Sequence, residues 1–144
     1  MNKKHLSLLI LLSLFIIERI TKFLALKYAL QGYFCCHNWL GIELLYNPGI
    51  AFGLPVPALI SLIISSLIII LLIIAIVKNF HKKPFLTLPL GLIVIGASSN
   101  LIDRIKYQQI IDFLHLGPWP VFNLADSLIV LGALLLIWQQ LRKS

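Results

Sequence analysis

Four apolar runs divide the chain, at roughly 6–26, 58–77, 85–101 and 121–141. Each is near the length of about 20 residues that an α-helix needs to cross the hydrocarbon of a bilayer. The first three are joined to their successors by a long connection at 27–57 and a short basic one. The last two are joined by a segment from Lys106 to Pro120 that holds Ile110-Ile111-Asp112-Phe113-Leu114, a short strand or half-buried stretch. Within 27–57 the alternation of Ile42, Leu44 and Tyr46 ahead of Asn47-Pro48-Gly49 reads as a strand entering a turn. The pattern predicts an all-α membrane protein, one integral domain over 1–144, with four transmembrane helices and a small extracytoplasmic β layer.

Composition supports this. With 60% hydrophobic residues and a mean hydropathy of +0.98, the chain cannot surround itself with the polar surface of a soluble globule. The opening Lys3-Lys4 and apolar run imitate a signal peptide, but no small-residue cleavage site follows, and the run continues through Glu18-Arg19 as Ile20, Phe23 and Leu24. It reads as a retained helix.

A formal charge of +7 raises the question of nucleic acid, yet the basic residues are scattered at helix ends and form no patch. No nucleic-acid partner is expected. Lys3, Lys4, Lys78, Lys82, Lys83, Arg142 and Lys143 fall on one side of the predicted membrane with no acid among them. Glu18, Glu43, Asp103, Asp112 and Asp126 all fall toward the other. The positive-inside tendency then places both termini in the cytoplasm and the acids at the outer face. Tyr33, Phe34, Trp39, Tyr46 and Phe52 suit a layer at the membrane surface, which could hold an extended peptide by strand addition. Ser61, Ser65 and Ser66 serve helix packing, and Cys35-Cys36 is read as structural or incidental because neighbouring cysteines bridge only with strain.

The candidate chemistry is a doubled pattern. Asn100 and Asp103 lie three residues apart at the end of the third run, as do Asn123 and Asp126 at the start of the fourth. On helices each pair shares a face. A single such Asp is ordinarily a cap or an interfacial anchor, and Asp103 has Arg104 beside it, but neither explains the repetition. Two carboxyls facing one another would share a proton and serve as base and acid in amide hydrolysis. Sequence thus predicts an aspartic dyad of Asp103 and Asp126. Glu18 and Lys22 have the spacing of a helical ion pair, either a local anchor or a pair turned inward to order the polar site.

The blocks Asn47-Pro48-Gly49-Ile50-Ala51-Phe52, Asn100-Leu101-Ile102-Asp103-Arg104, Ile111-Asp112-Phe113 and Phe122-Asn123-Leu124-Ala125-Asp126-Ser127, in this order, resemble the lipoprotein signal peptidases, the signal peptidase II family. The resemblance covers nearly the whole chain. It implies an intramembrane aspartic endopeptidase of the bacterial inner membrane, cleaving prolipoproteins before a diacylglyceryl-modified cysteine, without metal or other cofactor. It implies catalysis by Asp103 and Asp126, surrounded by Asn47, Gly49, Asn100, Arg104 and Asn123, with Asp112 in support and the loop after the first helix cradling substrate. The partners expected are lipid-modified prolipoproteins and membrane lipids, acting on a monomer. Two positions depart from the family pattern: Glu18 stands where Asp is usual, and Ser99 where Gly is usual. The alternatives are a catalytically silent assembly factor of the same fold and a small proton or cation pathway. The pathway fits poorly because the acids gather toward one face.

Overall fold

The computed structural model describes residues 3–29, 32–35, 37, 39–49 and 56–142. Four helices form where the apolar runs predict them: α1 Lys3–Tyr28, α2 Ala58–Asn79, α3 Thr87–Tyr107 and α4 Leu124–Leu141. Three of them are long and apolar enough to cross a membrane, with α3 counted together with the short 3-10 turn at Pro84–Leu86 that leads into it. The longest, α1 at 26 residues, carries Glu18, Arg19 and Lys22 past its middle.

Both helices of the doubled motif have boundaries shifted from the apolar runs. Helix α3 continues to Tyr107 and not 101, so the whole Asn100–Arg104 block is helical, and it ends where Gln108 adopts a left-handed conformation at φ 59°. The polar residues of that last turn find partners inside the protein, so they do not stop the helix. Helix α4 begins at Leu124 and not 121. The Asn123 side chain caps it by accepting from the Asp126 backbone N–H, while the Asp126 carboxylate accepts from the Asn123 N–H. Such a reciprocal box satisfies backbone donors that the first helical turn leaves open.

Helix α3 is central, packing on α4, α2 and α1. Gly96 and Gly132 let α3 and α4 approach closely: a Cβ at Gly96 would lie 2.5 Å from the Ala125 carbonyl oxygen, and one at Gly132 would lie 2.6 Å from that of Pro89. Leu11, Leu92 and Leu128 form the buried cluster of the helical layer. Outside it, α2 presents Ile63, Leu67, Ile70 and Leu71, all exposed. Such a surface is stable against hydrocarbon and not against water.

Three strands make an antiparallel sheet in the order β1 (Tyr33–Cys35), β2 (Leu40–Asn47), β3 (Ile110–Leu116). The strand read at Ile42–Tyr46 is thus part of β2, ending at Asn47 as the Asn-Pro-Gly turn requires. In the β2–β3 register Asn47 faces Ile110 and Leu45 faces Asp112, with a bulge between Ile42 and Leu45. Ala25 of α1 and Ala29 just beyond its end pack on Phe113 of β3, seating the sheet on the end of the bundle where α1 finishes and α4 begins. Residues 50–55, which include the Ile50-Ala51-Phe52 half of the Asn47–Phe52 block, and Cys36 lie outside the described residues.

Candidate active site

The site lies where α1, α3, β2, β3 and the start of α4 converge. Of the residues singled out from sequence, Asn100, Asn123, Asp112 and Asp126 are joined by direct side-chain bonds, and Asn47 joins them through Asp112. Asn100 Nδ2 donates to Asp126 Oδ1 at 2.8 Å, and Asn123 Nδ2 donates to Asp112 Oδ1 at 2.6 Å and to Asn100 Oδ1 at 3.2 Å. Asn47 Nδ2 donates to the other oxygen of Asp112 at 2.9 Å. Asn123 therefore touches both carboxylates, Asp112 through its amide and Asp126 through its backbone N–H at 3.3 Å. Gly49 is bound to the same corner, its N–H donating to Asn47 Oδ1.

Asp103 faces elsewhere. Arg19 Nη1 donates to its Oδ1 at 2.8 Å, and Lys22 Nζ donates to its Oδ2 at 2.6 Å. The same Oδ2 also accepts from the Ile111 N–H at 3.3 Å, so Asp103 fixes the start of β3 and hence the strand that carries Asp112. Both of its oxygens are engaged by cations, and the side chain is fully buried. The neighbour Arg104 takes no part in this; its guanidinium reaches the Gly49 carbonyl at 3.5 Å and feels the field of Asp126 first, then Asp112, then Asp103. The side-chain partners of Asp112 are the amides of Asn47 and Asn123.

Glu18 and Lys22 turn inward, the second of the two readings the sequence left open: both are buried, 3.0 Å apart. Arg19 was missed, read only as a charge at a helix end. Its guanidinium bonds Ser99 and Asp103. A countable signal for this existed. Two cations and one acid within five residues of an apolar helix need a further carboxylate nearby if they are to be buried.

On β3, outside the spans, the Asp112 carboxyl is raised from the usual 3.8 to about 6, by burial first and also by the Asp126 charge, against the lowering effect of the Asn47 and Asn123 bonds and of the Lys22 charge. Thus, among the described residues, the two carboxyls that interact electrostatically, share Asn123 as a common ligand and bind no cation directly are Asp112 and Asp126.

A family profile described as Signal peptidase (SPase) II matches residues 10–142. The chain therefore belongs to the signal peptidase II family. It is 37% identical over 138 residues to a lipoprotein signal peptidase of Burkholderia mallei, covering 88% of this chain and 81% of the relative. To the lipoprotein signal peptidase of Pelotomaculum thermopropionicum it is 44% identical over 99 residues, covering 68% of this chain. That match spans 65% of the Pelotomaculum relative's length. A solved bacterial membrane enzyme structure superposes with a TM-score of 0.83 at 28% identity, covering 96% of this chain and 88% of the other. The resemblance read from the motifs and the helical membrane fold are thereby both established, and the protein is an integral membrane protein.

Proposed function

We propose that this protein is an aspartic endopeptidase that removes signal peptides from prolipoproteins, cutting before a diacylglyceryl-modified cysteine, with Asp112 and Asp126 as the reacting pair. The observation that carries the reading is the shared hold of Asn123 on those two carboxylates, with no cation bound to either. This departs from the pairing of Asp103 with Asp126 suggested by the repeated Asn-Asp spacing. An arginine and a lysine already occupy both oxygens of Asp103, which leaves neither turned to a water or a scissile bond.

Peptide hydrolysis requires water to lose a proton as it attacks the carbonyl carbon and the departing nitrogen to gain one. A carboxylate and a carboxylic acid side by side supply both, and their titration belongs to the pair. In the proposed cycle the ionised member takes the proton from water as its oxygen bonds to the scissile carbonyl carbon. The protonated member then gives its proton to the amine as the C–N bond breaks. Asn100 and Asn123 hold the carboxylates by N–H donation, which adds no charge and opposes protonation less than a bound cation would. Arg104 lies at the rim, near Gly49, where a substrate carbonyl or a lipid headgroup would approach.

The protein is assigned to the bacterial inner membrane, with both termini cytoplasmic and the site toward the outer face. That assignment rests on the one-sided distribution of basic and acidic residues. The test is incubation of the purified protein, in detergent or lipid, with a diacylglyceryl-modified prolipoprotein, its unmodified counterpart and a metal chelator. Cleavage of the modified form alone, before the cysteine and undiminished by chelator, is expected. A folded protein that leaves the modified substrate whole would refute the reading and favour the silent assembly factor.

A further inference from the structure

Behind the two carboxylates lies a closed circuit of bonds. Arg19 Nη1 donates to Asp103 Oδ1, and Asp103 Oδ2 accepts from Lys22 Nζ. Lys22 Nζ pairs with Glu18 Oε1 at 3.0 Å. The other Glu18 oxygen accepts from the Ser99 hydroxyl, and that hydroxyl accepts from Arg19 Nη1 at 2.8 Å. The circuit returns to its start after five residues, two formally cationic and two anionic, closed by one hydroxyl. Arg19 alone is partly open; Glu18, Lys22, Ser99 and Asp103 are at most 1% exposed.

The consequence for the site comes through Lys22. An ammonium has three hydrogens and no acceptor. One hydrogen goes to Asp103 Oδ2 and another to Asn100 Oδ1 at 2.8 Å, while Glu18 Oε1 stands beside the ammonium as an ion pair at 3.0 Å. The Asn100 oxygen must therefore face Lys22, which leaves its NH2 group facing Asp126. With its ammonium displaced, only the longer bond from Asn123 Nδ2, at 3.2 Å, would keep the amide from turning over and presenting an oxygen to a carboxylate. Glu18 and Asp103 fix the ammonium only while their far oxygens are held by Ser99 and Arg19.

We propose that Arg19 and Ser99 are positioning residues of the site, closing a ring around Lys22 that fixes the Asn100 amide toward Asp126. This rests on the peptidase reading for its effect on turnover but not for its effect on the amide. The ring also relates the two departures from the family pattern, since the Ser99 hydroxyl bonds Glu18. The bond between Arg19 and Ser99 makes their effects interdependent.

The test compares wild type, Arg19→Gln, Ser99→Ala and the double variant by two readouts. The first is hydrogen exchange of the Asn100 side-chain amide in protein labelled with ¹⁵N-asparagine, with the Asn79 amide, bonded to the Ala75 carbonyl far from the ring, as internal control. The second is kcat and KM on the modified prolipoprotein. Both single variants are expected to exchange at Asn100 about ten-fold faster with Asn79 unchanged. They should lower kcat about ten-fold with KM within about two-fold, and the double variant should be about as slow as either single one. Arg19→Lys, which keeps a cation for Asp103, should recover most of the kcat. Unchanged exchange at Asn100, unchanged kcat beside faster exchange, or losses that multiply in the double variant would each overturn the proposal. If Arg19→Gln does not fold, Ser99→Ala, which removes one oxygen and no charge, decides by the same criteria. If wild type does not cleave the substrate, the peptidase reading falls, and amide exchange still tests the ring.

Discussion

Two groups of carboxylates lie a few residues apart in this protein and are held by opposite means. Glu18 and Asp103 are bound by Lys22 and Arg19; Asp112 and Asp126 are bound by asparagine amides and a backbone N–H. Cations hold a carboxylate firmly and at the same time hinder it from taking a proton. Amides hold one in place with a weaker pull against protonation, so that burial and the neighbouring acid prevail at Asp112. The first arrangement suits a scaffold and the second suits proton transfer. Residue type alone does not distinguish the two, because all four are acids on helices or on the adjoining strand.

Substitutions that break this contrast should differ in size. The largest effect on turnover is expected from Asp112→Asn and Asp126→Asn. Each should reduce cleavage by about 10³-fold or more, within reach of a lost general acid or base. The double variant should be little worse than either single one, because the pair acts as a unit. Single-turnover assays of the three proteins check this. On stability, the largest loss should come from Lys22→Met, which leaves two buried carboxylates short of a cation, at a cost of about 3–5 kcal/mol, measurable by denaturant unfolding in micelles. Asn123→Ala removes a helix cap worth about 1 kcal/mol together with the amide donor to Asp112 and Asn100, and keeps the backbone N–H that reaches Asp126. It should therefore reduce turnover more than its modest loss of stability explains.

A smaller effect concerns pH. Because the Asp112 carboxyl is raised to about 6 in the folded protein, the folded state binds its proton more tightly than the unfolded chain. That contribution is complete below the ordinary carboxylate range and is lost as pH rises through about 6, amounting to at most about 3 kcal/mol. Thermal unfolding between pH 4.5 and 7.5 should show wild type losing stability with rising pH, and Asp112→Asn losing less.

Much of this arrangement was legible in the sequence, and the limits have physical causes. Apolar run length located four helices, and alternation located β2, because both periods are local. The three-residue spacing correctly indicated that Asn100 and Asp103 share a face, as do Asn123 and Asp126. Helical spacing cannot say what lies across from that face. Asp103 meets α1, whose cations come from about 80 residues earlier in the chain, while Asp126 lies within the field of Asp112 on a strand with no helical period to flag it. Ser99 likewise acquires its role only from Glu18 and Arg19, and without them it reads as a small residue in a packed helix.

The decisive comparison is Asp103→Asn beside Asp112→Asn in single-turnover cleavage, with the folded fraction of each protein measured in the same sample. If Asp103 is scaffold and Asp112 reacts, Asp103→Asn should be markedly less stable yet retain measurable cleavage per folded molecule. Asp112→Asn should be folded and inactive. A folded, inactive Asp103→Asn beside an active Asp112→Asn would restore the pairing of Asp103 with Asp126 and contradict the assignment made from the contacts.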